Sequence, residues 1–538
     1  MLERIPRKLR REWAHRQNDR RIRELAGEVA HHAPPPSLTP QGELKPVVFF
    51  NASTRLAGVS LNAAYSLLAA WSLRLGGVPV IHAACRSAMV PCVLGTDRAH
   101  PGTPPPCSSC TAQSAALYAG AEVVWLDPIV IHNIQDDLQD LSLAQLQEFQ
   151  FEGMPLGELV TPSARWILRR GELVDDEPTR ALLRGYIFSA ASIARQFRAL
   201  LKQKAPRALV VFNGMFFPEA VARQAAIEMG IPAITHEVGL LPFSAFFTTG
   251  EATAYPLDVP EDFELTPEQD AHLDAYLEER FQGNFSMAGI KFWPEMHSLG
   301  DGFWQKAAQF QQVVPVFTNV VFDTSQGHAN VVFPDMFAWL DCVLEMIRAH
   351  PETYFVIRAH PDELRPGKES RESVSAWVKQ KSVASLPNVL FVGPEERFSS
   401  YELIRRSKFV MVYNSTIGLE ASILGLPVLS GGKARFTQIP TVFFPRSQLA
   451  FRQQAETFLA AGRLEAPPEH RRNARRFLFY QLFCSSLPFD RFLEEDGVWQ
   501  GYVRLKPFDW SALLPGQSPA MRAIADGILK SKPFLINP

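Results

Sequence analysis

From residue 313 onward the chain alternates short apolar runs with longer amphipathic stretches, and this rhythm constrains the fold more than any other feature. Strands are expected at residues 313–317, 354–358, 388–392, 409–413 and 427–429, with helices at 336–349, 370–381, 400–406 and 417–424. The strand runs are apolar without alternation, which suits strands covered on both faces, so they predict a parallel sheet flanked by helices. In such sheets ligands bind beyond the carboxyl ends of the strands. The residues there are polar or glycine-bearing: Thr318-Asn319, His360-Pro361, Gly393-Pro394, Asn414-Ser415-Thr416 and Ser430-Gly431-Gly432.

The first half repeats the pattern, with strands expected at 47–50, 79–83, 122–126, 208–212 and 232–235, and helices at 61–75, 218–229 and through most of 140–203. With 538 residues the chain has room for more than one domain. The expected divisions are a basic arm and linker (1–45), an α/β domain with a helical insertion (46–290), a second α/β domain (291–466) and a helical segment packing across both (467–538). Lys and Arg number 54 against 56 Asp and Glu, a balance that argues against a nucleic-acid partner. Six cysteines and the absence of a leader-like or membrane-spanning apolar stretch predict a cytosolic protein. The arm, with Arg4, Arg7, Lys8, Arg10, Arg11, Arg16, Arg20, Arg21 and Arg23, reads either as a peripheral membrane contact through residues 1–30 or as a solvated or partner-bound segment.

The sharpest motif runs from Asn414-Ser415-Thr416-Ile417-Gly418-Leu419-Glu420-Ala421 to Gly425-Leu426-Pro427-Val428. Two hydroxyl residues opening a helix can cap it, or can offer donors to a phosphate. With Arg358-Ala359-His360-Pro361, and with Asn213-Gly214, Pro218-Glu219 and Glu237-Val238-Gly239 in the first half, the motif resembles the capsule polysaccharide biosynthesis family of bacterial glycosyltransferases, which includes the Kdo transferases. That resemblance covers roughly residues 205–250 and 313–436. It implies a GT-B architecture, in which two Rossmann-like domains face a central cleft, with donor nucleotide on the second and acceptor on the first.

The resemblance also implies roles. Asn414, Ser415 and Thr416 would meet the donor phosphate, Glu420 the ribose, and His360 with Pro361 a phosphate or carboxylate, strengthened where the imidazole is cationic. Lys433 and Arg435, after Gly432, would meet phosphate or a sugar carboxylate, and Gly393 would line the base pocket. Carboxylates suit the acceptor-side base, and Glu237 is the first candidate, Glu219 the second and Asp323 the third. The expected reaction moves a sugar, with Kdo or a related ulosonate from a CMP-sugar favoured, onto a glycan or glycolipid acceptor. A CDP-glycerol-type polyol-phosphate transferase and a non-catalytic scaffold of an export complex are the alternatives.

No cofactor is required for such catalysis. Four cysteines nevertheless cluster in sequence: Cys85, Cys92, Cys107 and Cys110. The Cys-x2-Cys turn fits a structural zinc site, with a redox pair or iron–sulfur ligation and inert buried thiols as the other readings.

Overall fold

In a computed structural model of the chain, the described residues are 7–35, 38–39, 42–52, 58–97, 100, 103–132, 134–283, 297–364, 369–497 and 501–537. Two parallel sheets organise them. The first lobe's sheet uses β1 (Val47–Phe50), β2 (Val80–Cys85), β3 (Glu122–Leu126), β4 (Ala208–Phe212), β5 (Ala233–Val238) and β6 (Ser244–Thr248). Its order is β3-β2-β1-β4-β5-β6, with β6 antiparallel, and Leu487–Pro488 adds an antiparallel edge beyond β6. The second lobe's sheet is wholly parallel, built from β7 (Gln312–Phe317), β8 (Thr353–Arg358), β9 (Val389–Val392), β10 (Val410–Val412) and β11 (Val428–Ser430) in the order β9-β8-β7-β10-β11.

Both sheets reverse direction of growth at their first strand, β1 in one lobe and β7 in the other. This places a topological switch point between β1 and β4, and another between β7 and β10. Side-chain alternation assigns the cores. Val47 and Phe49 face one side of the first sheet, with α2 (Leu61–Leu75), while Val48 and Phe50 face the other, with α3 (Leu156–Leu168), α4 (Glu177–Lys204) and α5 (Phe217–Glu228). In the second lobe Val314 and Val316 pack with α7 (Met336–Ala349), and Tyr354 and Val356 with α8 (Ile417–Ile423) and α9 (Pro468–Phe479). α6 (Pro267–Phe281) also joins the second lobe through Leu273 and Leu277.

The terminal regions depart from expectation. The basic arm is largely α1 (Arg7–His32), and it is not detached. Ile22, Leu25, Ala26 and Val29 are buried in the first lobe's core, the Asn18 amide donates to the Val503 carbonyl at 3.3 Å, and His32 stacks on Trp510 at 4.1 Å. Apolar residues spaced three and four apart account for this docking, a pattern the dense arginines obscure. Residues 1–6 lie outside the described segments, as does the boundary expected near residue 290. Among the described residues no helix is long and apolar enough to cross a membrane.

After α9 the chain returns to the first lobe. Leu493–Glu495 and Tyr502–Leu505 pair as a hairpin that extends onto Val59–Ser60, and α10 (Pro519–Lys530) buries Met521, Ile524 and Ile528 beside α2. The tail therefore contributes strands to the first lobe as well as helices to both lobes.

Candidate active site in the interlobe cleft

A cavity of about 340 Å³ opens at the second lobe's switch point, between the ends of β7 and β10. It gathers His360, Pro361, Asn414, Ser415, Thr416, Glu420, Lys433 and Arg435, eight residues expected from sequence to meet the donor. The first lobe closes one side with Thr253, Ala254 and Pro256. The lobes are tied there: Gln438 donates to the Tyr255 carbonyl at 3.0 Å, Arg435 lies over the Tyr255 ring at 4.1 Å, and His328 meets Thr253 at 3.0 Å.

The hydroxyls of the Asn-Ser-Thr turn are not spent on capping. Thr416 occupies the N-cap position of α8 in helical backbone geometry and makes no side-chain cap bond. α8 has only seven residues, so the side chains matter more here than the helix dipole. The Asn414 carboxamide is held from the opposite strand end, its Oδ1 accepting from Asn319 Nδ2 at 2.7 Å. Arg435 brings one buried guanidinium nitrogen, Nη1, with no protein partner.

His360 differs in charge from expectation. Its Nδ1 accepts the Asp362 backbone N–H at 3.1 Å, which leaves Nε2 to carry the proton. Burial, with Arg358 nearby, holds its pKa below the usual imidazole range against the opposing pull of Asp362 and Asp323. The imidazole is thus a neutral donor rather than a cation.

Glu420 is more tightly held than a lone ribose acceptor would be. It is 4% exposed; Arg280 Nε donates to its Oε1 at 2.7 Å and the Tyr401 hydroxyl to its Oε2 at 2.5 Å. Arg280 lies on α6, far from the motif in sequence, and no pattern around it distinguishes it from neighbouring surface charges. Burying an ion pair costs desolvation that close hydrogen bonding must offset, and here two partners satisfy the carboxylate. What remains accessible to a ligand is the outer lone pairs of Glu420, together with Arg280 and Tyr401, which also line the cavity.

Two glycines expected at the donor do not line this cavity. Gly393 donates its N–H to Glu396 Oε1 at 2.8 Å, and Gly432 is packed so that a Cβ would sit 3.0 Å from the Tyr413 carbonyl oxygen. Their role in this arrangement is backbone packing.

The acceptor-side carboxylates separate. Glu237 is the penultimate residue of β5, half-buried, accepting from Asn213 Nδ2 at 2.8 Å, Asn62 Nδ2 at 3.3 Å and the Val238 N–H at 2.9 Å. Burial raises its pKa against those hydrogen bonds, and the Asp323 charge pushes the same way. Asn213 reaches Glu237 from a left-handed turn, with φ of 61° followed by Gly214 at 77°, conformations that Asn and Gly adopt readily. Glu219 is 3% exposed, accepts the Ala52 N–H at 2.8 Å, and burial pushes its pKa up to about 7. Neither residue lines the donor cavity.

Asp323, the third candidate, does line it. It also lines a second interlobe cavity of about 410 Å³, which includes Arg165 and Met215 from the first lobe and Arg371 and Lys381 from the second. Asp323 therefore marks the junction of the two spaces.

The four clustered cysteines are free and half-buried. Burial pushes the Cys85 thiol up to about 11 and the Cys92 thiol up to about 12. Among the described residues no three His, Cys, Asp or Glu side chains are grouped to hold a metal, although Cys107 and Cys110 lie near enough to Cys85 and Cys92 to raise both thiols further.

Residues 305–457, which supply β7 to β11 and most of the donor cavity, match the family model described as capsule polysaccharide biosynthesis protein. That similarity covers less than half of the chain. No curated protein matches the chain. Among solved structures, the β-Kdo 2,4-transferase KpsC of Thermosulfurimonas dismutans is 14% identical, over 52% of this chain and 80% of that one, with a TM-score of 0.35. The β-Kdo 2,7-transferase of the same KpsC is 13% identical over 55% and 82%, at 0.32. A UDP-GlcNAc 2-epimerase from Neisseria meningitidis bound to UDP-GlcNAc is 12% identical over 81% and 98%, at 0.22. Likenesses this remote carry no argument about what the chain does.

Proposed function

We propose that this chain is a GT-B glycosyltransferase of surface-polysaccharide assembly, taking a nucleotide-activated sugar in the cavity beneath β7 and β10. The observation that carries this reading is the convergence there of two uncommitted hydroxyls, a neutral imidazole donor, a held carboxylate and two cations. A phosphate calls for the hydroxyls and cations, a ribose for a carboxylate acceptor, and a sugar carboxylate for Arg435. A CMP-linked ulosonate such as Kdo is the donor that uses all of these groups.

Asp323 is the best-placed base. It sits where the donor cavity meets the second cavity, the position an acceptor hydroxyl must reach. There its carboxylate would take the hydroxyl proton as the new glycosidic bond forms. Glu237, held by Asn213 and Asn62, forms part of the first-lobe wall. His360 Nε2–H would donate to the departing phosphate or to the sugar carboxylate.

A thermal-shift and calorimetric screen against CMP, CDP, UDP, GDP and ADP tests the donor. A ligand at 100 times its Kd stabilises the folded state by about 2.7 kcal/mol. A selective response to CMP is expected. Selectivity for CDP would replace this reading with polyol-phosphate transfer, UDP or GDP would point to a hexosyl donor, and no response would leave a non-catalytic scaffold.

A further inference from the structure

The first lobe has its own switch-point crevice, and the donor reading does not use it. A cavity of about 60 Å³ lies beyond the ends of β1 and β4, between the loop holding Met89 and Leu94, Trp166 of α3 and the start of α5. Asn51, the residue directly after β1, lines it at 6% exposure, with neither Oδ1 nor Nδ2 engaged by any protein group. Leaving both ends of a buried carboxamide unpaired is costly. Because Asn51 lines a cavity, a group bound there can pair both ends of its carboxamide.

The other lining residues define the chemistry of that partner. Among the described lining residues there is no lysine or arginine, and Glu219 sits in the wall, so these residues offer an anionic phosphate no counter-charge. Glu219 is already bonded to the Ala52 N–H, and with its pKa near 7 it adds a neutral or weakly charged polar group. Trp166, Phe212 and Phe216 supply flat apolar surface. One water needs about 10–15 Å³, so the space suits a few hydroxyl-sized groups and not a nucleotide. Asn62 connects the crevice to the cleft, since it lines the crevice and donates to Glu237. Adjacent residues face adjacent spaces: Arg165 and Met215 line the second interlobe cavity, Trp166 and Phe216 this one.

We infer that the first-lobe crevice is a subsite for the hydroxyl edge of a neutral sugar ring, bonded by both ends of the Asn51 carboxamide and flanked by Trp166 and Phe216. Its identification with the acceptor glycan rests on the transferase reading; the sugar-binding chemistry does not.

The test pairs stability with binding. Replacing Asn51 by the near-isosteric leucine removes the orphaned amide, so Asn51→Leu should raise Tm by a few degrees. Saturation-transfer NMR is run on the full chain with saturating CMP present, using the methyl pyranosides of glucose, galactose, mannose, fucose and N-acetylglucosamine at high millimolar concentration. At least one should give a signal with the wild-type chain that is lost in Asn51→Leu; should leucine not be accommodated, Asn51→Ala serves the same comparison. A lower Tm in a well-folded Asn51→Leu would show that the amide supports the fold and would overturn the inference. So would the absence of signal from every sugar, or a signal unchanged by the substitution. Calorimetry with the nucleotides separates the two readings: sugar binding without nucleotide binding removes the transferase and keeps this subsite, whereas nucleotide binding without sugar binding does the reverse.

Discussion

The two switch-point crevices share a topology and differ in what lines them. Each follows the first strand of its sheet and the strand that reverses the order, and each has an asparagine at or just beyond both strand ends: Asn51 and Asn213 in the first lobe, Asn319 and Asn414 in the second. In the second lobe the two amides bond to each other, and cations and hydroxyls are left facing a cavity of about 340 Å³. In the first lobe Asn213 is committed to Glu237, Asn51 is unspent, and aromatic rings narrow the space to about 60 Å³. The sheet decides where a ligand can sit, and the loops decide its charge and size.

The comparison breaks most sharply at the carboxylates. Asp323→Asn should lower transfer by about 10²–10⁴-fold while leaving CMP affinity unchanged in calorimetry. A fall of that size in Glu237→Gln, with Asp323→Asn active, would move the base into the first lobe. Next in size is the Arg280–Glu420 pair. Truncating either residue to alanine leaves a buried charge uncompensated, and urea unfolding should show a loss of about 3–5 kcal/mol. The double variant should lose less than the sum, because neither charge is then stranded.

A smaller effect separates the crevices by ligand. Ser415→Ala combined with Thr416→Ala should weaken CMP binding by about 1–3 kcal/mol, while Asn51→Leu leaves it alone. Equal losses in both would mean that the crevices are not independent. A further contrast is a pH dependence. Glu219 has a folded pKa of about 7 against an ordinary 4.5, so the fold favours its protonated form. Its contribution is fully present below about pH 4.5 and is lost as pH rises through 7. Denaturant titrations over this window should show wild-type stability declining more steeply than that of Glu219→Gln, and parallel profiles would remove Glu219 from the account.

Much of the frame was legible from residues. The helices at 61–75 and 336–349 coincide with the observed elements, and the parallel strands fall within a few residues of their expected positions, because apolar runs between glycine and proline signals are local features. β6 carries no distinct local signal, since Ser244–Thr248 is short and lies only a few residues after β5. The docking of α1 and the Arg280 contact to Glu420 depend on partners hundreds of residues apart or on another element, and local pattern carries no trace of such pairing. His360 shows a third kind of limit: its position beside Pro361 was readable, but its neutral state follows from burial and one backbone N–H. The separation of Glu219 from the donor cavity likewise needed the course of α5.

The first lobe is assembled from both extremes of the sequence. Ile22 and Val29 of α1 share a core with Phe489, Phe492, Met521 and Ile528, while the segment between completes the second lobe. During vectorial synthesis, the second lobe can close its sheet once β11 has left the ribosome. The first lobe must wait, with α2 and the face of its sheet beneath it uncovered, until the last strand and helix arrive. The interlobe cleft is therefore completed only after the second lobe's sheet has closed, although its first-lobe wall at Thr253 to Pro256 is made earlier in the chain.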